Sequence, residues 1–200
     1  MDEQLRAEIQ KSNAWMITCS DVLTGVDVPG GQRMNVAVAL LHLCNEHHQA
    51  IDLLASHDIN GSAFALFRPQ FEAYVRAIWI FYCAEDLQIN NFLAEKKLPR
   101  LELLISRVEQ LDYYKSMTLS RTHDRLYKTM CSFTHGGGIQ VKARFSNGQV
   151  AESYLTEHII DLLKTSAVFS MMAAHAIARI VGSSQLADKI DVECAKIYGT

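Results

Sequence analysis

Proline is scarce in this chain, with three residues in two hundred, and glycine contributes only ten. So little of either excludes collagen-like, proline-rich and low-complexity architectures and leaves long helices as the natural reading. The five cysteines, Cys19, Cys44, Cys83, Cys131 and Cys194, lie far apart with no C-x-x-C pair. That excludes a disulfide framework and a zinc knuckle, and it suits reduced thiols in a cytoplasmic protein. The N-terminal MDEQLRAEIQ is charged and amphipathic, unlike a secretory leader. An uninterrupted apolar run is missing too. Residues 62–83 are long enough to span a bilayer, but Arg68, Glu72 and Arg76, with Pro69 and Gln70, would each be costly in lipid, so no membrane partner is expected. Nor is there an excess of positive charge: the formal net charge is -3, which argues against a general nucleic-acid coat protein.

What is present is apolar residues, 49% of the chain, in helical periodicity. Two hundred residues make one ordinary domain, 1–200, and the expectation is an all-α bundle of six to seven helices. Its organising element is SAFALFRPQFEAYVRAIWIFYC, Ser62 to Cys83, apolar round most of its circumference and therefore central. Pro69 lies inside it and predicts a kink or restart near Ala65 to Pro69. Other helices are expected over residues 2–24, 34–56, Pro99 to about Tyr113, 119–134, 154–181 and 184–197, with a short helix or single turn in 86–97. IQVKARFSNGQVAESY alternates and contains Asn147-Gly148, which predicts a small β-hairpin flap near 139–151.

Two constellations carry candidate chemistry. Arg68, Glu72 and Arg76 follow one another at four-residue steps and fall in one narrow sector of an otherwise apolar helix. They read either as a buried ion-pair ladder or as Glu72 holding two arginines towards a second site. That second site is RTHDRLYKTMCSFTHGGGIQ, in which Arg121, Arg125, Lys128, Ser132 and His135 fall within about 80° on one face of a helix. Residues 114–149 hold six basic side chains against one acid, so a segment of net +5 sits in a chain whose remainder is -8. The strip reads either as an anion site, with His135 as general acid or base and Gly136 and Gly137 allowing close backbone approach, or as a solvated face ended by a glycine cap.

Metal and cofactor readings find little footing. No Glu-x-x-His pair supports a di-iron bundle, and His42, Glu46 and His47 share part of a face without a second ligand cluster. The triple glycine lacks the Gly-Lys-Ser/Thr of a P-loop and ends a helix instead of opening one. Cys131, four residues before His135 and set among apolar neighbours, reads as an inert thiol.

At R-P-x-x-E-x-x-x-R (Arg68 to Arg76) and S-F-T-H-G-G (Ser132 to Gly137) the chain resembles a group of uncharacterised bacterial all-helical proteins, themselves loosely similar to the HEPN superfamily. That resemblance implies a homodimeric helical bundle and an RNA or nucleotide ligand. Some HEPN proteins are metal-independent ribonucleases with an Arg-x(4 to 6)-His motif. Here Lys128, with six residues between it and His135, stands in the arginine's position. On this likeness His135 would be the acid or base, Arg125 and Lys128 phosphate contacts, Arg76 a charge stabiliser and Glu72 its orienter. The alternative is a non-catalytic homodimeric interaction module in which the Arg/Glu seam is structural.

Overall fold

The computed structural model describes residues 2–96, 98–115 and 119–199. Its elements in order are α1 (Glu3–Leu23), α2 (Gln32–Ser56), α3 (Asn60–Tyr82), α4 (Asp86–Leu93), α5 (Leu101–Val108), a 3-10 turn (Asp112–Tyr114), α6 (Leu119–Thr134), α7 (Gly138–Lys142), β1 (Phe145–Ser146), β2 (Gln149–Val150), α8 (Thr156–Ile180) and α9 (Ser184–Tyr198). This is an all-α bundle with a two-stranded antiparallel hairpin. Nine α-helices occur among the described residues, and the excess over six or seven lies in short ones such as α4 and α7.

The helix at the centre is α3. From Gln70 to Ile80 every residue except Arg76 is buried, because α2, α5, α6 and α8 all pack against it. Pro69 does not interrupt it. Lacking an N–H, Pro69 leaves the Ala65 carbonyl without its helical donor, and the Thr134 hydroxyl of α6 shares its one proton between that oxygen at 3.2 Å and its own Met130 carbonyl at 2.9 Å. A defect in one helix thus becomes a tie to its neighbour.

Most boundaries follow local signals. Asp2 caps α1, accepting from the N–H groups of Gln4 and Leu5, and Gly25 beyond its end takes φ +77°. The segments 99–113 and 139–151 differ from expectation, and 86–97 carries the short helix expected of it. The helix expected to reach Tyr113 stops at Val108, where i→i+3 bonds from Gln110 and Leu111 tighten the chain and Leu111 turns extended. Of the 86–97 segment, α4 takes residues 86–93 and Lys97 lies outside the described residues. In the flap, Asn147 and Gly148 have φ 52° and 77°, as a two-residue hairpin turn requires, but each strand is only two residues long. Residues 138–142 are helical instead: the Ser132 hydroxyl accepts from the Ile139 N–H at 3.1 Å, and the Val141 N–H bonds to the Gly137 carbonyl. Alternation there has no sheet to face.

Opposite α6, a buried polar line crosses the core. Gln70 Nε2 donates to the Ser166 carbonyl at 2.9 Å, the Ser166 hydroxyl donates to Gln70 Oε1 at 2.8 Å, and His48 Nδ1 lies 2.9 Å from that hydroxyl. Trp15 Nε1 donates to Ser170, whose hydroxyl in turn donates to Asn45. α8 is long and apolar enough by length and composition to cross a membrane, yet 56% of the qualifying window is buried inside the bundle.

Candidate anion-binding site

Three flanks of α6 follow from its 3.6-residue repeat. Leu119, Met130 and Phe133 face the core. On one side Tyr127 and His135 meet α3, and on the other Arg125, Leu126 and Thr129 line a groove towards α8. Arg121 and Lys128 point outward and are exposed. Among the described residues no carboxylate lies within 4 Å of Arg121, Arg125 or Lys128.

The three charges of α3 close on one another and then on α6. Arg68 Nε donates to Glu72 Oε1 at 2.7 Å and an Arg76 terminal nitrogen donates to Glu72 Oε2 at 2.5 Å, both at i,i+4 spacing. From α6 the Tyr127 hydroxyl donates to Glu72 Oε1 at 3.1 Å, while one Arg68 terminal nitrogen donates to that hydroxyl at 3.1 Å. The other reaches His135 Nε2 at 2.5 Å. A guanidinium has no acceptor, so Nε2 receives this bond and the imidazole proton sits on Nδ1. Behind Tyr127, the His123 ring stacks at 4.4 Å between centroids. His123 itself lies 3.7 Å from Glu102 and 3.3 Å from Asp124.

Burial alone pushes the Glu72 carboxyl up, but the Arg68 hydrogen bond and the charges of Arg76 and Arg68 outweigh it, so its pKa lies below the ordinary value. Glu72 is 8% exposed and both its oxygens are occupied. It therefore fixes guanidiniums and is poorly placed to exchange protons. Burial, then the nearby Glu72 charge, push the Tyr127 phenol up. His135 is exposed, with Nε2 taken by Arg68 and Nδ1 left to face outward contacts.

The glycine turn is spent on structure. Gly136 takes φ +64° and the Gly137 N–H bonds to the Ser132 carbonyl, closing α6 with the 6→1 bond of a Schellman motif. A Cβ at Gly137 would come within 2.6 Å of the Ser132 hydroxyl. Ser132 itself is committed to Ile139. Seam and strip thus meet at Arg68 and His135, Arg76 bonds to Glu72, Arg125 turns to the groove, and Ser132, Gly136 and Gly137 build the turn. Sequence reasoning missed Tyr127 and its stacking partner His123. Their i,i+4 spacing, on the α6 flank between the apolar face and His135, was the available signal.

Among known families, a model described as a family of unknown function (DUF6988) matches residues 41–198. The chain belongs to DUF6988. The matched span takes in all of α3 and α6, so every residue of the seam and the strip lies inside the DUF6988 match. No curated protein and no solved structure matches the chain.

Proposed function

We propose that this DUF6988 protein binds the phosphate groups of RNA or of a nucleotide, in a manner similar to HEPN proteins, on the outward strip of α6 and the adjoining seam of α3. The observation that supports this reading is the Arg68–His135 hydrogen bond, which joins the α3 charges to the histidine just beyond α6. Arg121, Arg125 and Lys128 supply positive charge without a carboxylate beside them. Glu72 orients Arg68 and Arg76, and His135 is the proton-transfer group of any metal-independent ribonucleolytic step.

Titrating wild type and an Arg121→Ala/Lys128→Ala variant with a short labelled RNA at two salt concentrations tests the reading. The variant is expected to bind more weakly and to lose about 1.4 from its log-log salt slope, two single-strand contacts' worth. Identical curves for the two proteins would refute it. His135→Ala is expected to retain most binding and to lose any turnover.

A second reading has its own support: both oxygens of buried Glu72 are filled from within the chain, and Tyr127 ties the seam to α6 as a structural clamp would. On it the protein is a homodimeric interaction module. It shows no RNA affinity at low salt, and altering Glu72 or Arg76 shifts its dimer dissociation constant.

A further inference from the structure

On the far flank of α6 from His135 lies a groove of about 820 Å³ bounded by α3, α6, α7, the segment after β2 and α8. That volume is in the range of small-molecule pockets. Its walls are largely apolar, with Phe64, Leu126, Met130, Phe133, Leu155 and Leu162 among them. Met130, Phe133 and Leu162 form a buried floor, and the rim is open: Leu155 remains 54% exposed and Ile139 44%. The aromatic rings pack on one another, Phe64 on Phe133 at 4.7 Å and on Tyr154 at 5.5 Å. Their faces are partly spent on this stacking, so the groove offers a ligand ring edges and the alkyl side chains of Leu126, Ile139 and Leu155. Such a wall suits a flexible alkyl chain better than a flat base, which needs an open aromatic face.

The polar lining has a sign. Arg125 of α6, Lys142 in the last turn of α7 and His158 of α8 line the groove, against one carboxylate, Asp161. Neither Arg125 nor Lys142 has an acid within 4 Å among the described residues. We infer that the groove is a binding site for a single-chain carboxylate amphiphile, a fatty-acid-like molecule with its chain along Leu126, Ile139 and Leu155 and its carboxylate between Arg125 and Lys142. Charge complementarity selects the head group, and burial of the chain supplies most of the driving force. Arg121, Lys128 and His135 do not line it, so the groove shares only Arg125 with the phosphate surface.

Calorimetric titration with dodecanoate tests the inference, with dodecyltrimethylammonium as a cation of the same chain length and AMP as a flat anion. Dodecanoate is expected to saturate wild type with a Kd below about 100 μM. Lys142→Ala is expected to weaken it by about tenfold, a lost charge-assisted contact. Thr129→Trp, which fills the groove, is expected to abolish it with an unchanged helical circular-dichroism spectrum. Both variants keep the RNA response of wild type, whatever that response is. Equal binding of the cationic amphiphile, indifference to Lys142→Ala, or binding of AMP in place of dodecanoate would overturn the assignment.

Discussion

Replacing Glu72 with Gln is expected to lower folding stability by about 3 kcal/mol, near the low end for breaking a buried ion pair. The low end applies because the side chains of Arg68 and Arg76 remain 21% and 35% exposed, and solvent screens part of the loss. Gln keeps the volume but removes the charge, and its amide nitrogen presents a donor to groups that can only donate. The cost falls on two helices, because Tyr127 of α6 also donates to this carboxylate. Exposed Glu3→Gln, the control, should change stability by no more than about 0.5 kcal/mol. Urea unfolding at neutral pH measures both, and equal midpoints for Glu72→Gln and wild type would mean that the seam contributes no net stability. The sign with pH follows from the lowered Glu72 pKa: its contribution is fully present above the ordinary value of 4.5 and is lost as pH falls through the lower folded value.

An earlier loss on the same acid limb belongs to His48. The Ser166 hydroxyl gives its one proton to Gln70, so His48 Nδ1 must donate to Ser166, leaving Nε2 bare. No hydrogen-bond partner is found for Nε2 among the described residues, and the ring is fully buried. Burial pushes its pKa down from 6.5 to about 4, against a smaller opposing effect of the Ser12 backbone. The unfolded chain therefore takes up a proton that the folded chain refuses. Stability is unaffected above about pH 6.5, declines as pH falls towards about 4, and has lost about 3 kcal/mol there. His48→Asn retains a donor towards Ser166 and should be less stable than wild type at pH 7, but flat between pH 7 and 5. Parallel wild-type and variant profiles across that window would remove His48 as the cause.

The two buried systems were not equally legible. The Arg68, Glu72, Arg76 seam could be read directly, since a four-residue step within one helix fixes both partners without reference to the rest of the fold. The His48, Gln70, Ser166 line joins residues about a hundred positions apart on three helices, and no local pattern announces it. α6 was readable to its C-terminal end because its apolar and cationic faces separate cleanly and Gly136 stops it. Residues 139–142 misled for a related reason. Ile-Gln-Val alternates like a strand, and what makes it helical is a hydroxyl from the preceding helix. Tyr127 was hidden by its type, an aromatic beside an apolar stripe, until Glu72 was seen to lie opposite.

The central claim is that the α3 seam and the α6 strip form one ligand surface. It is tested most directly by a double-mutant cycle on RNA affinity with Arg68→Ala, His135→Ala and the pair, at one low salt concentration. Residues in direct contact within a shared site should couple by about 0.5–3 kcal/mol, so the pair should lose a different amount from the sum of the singles. Strict additivity, or no RNA affinity in any of the four proteins, would contradict it.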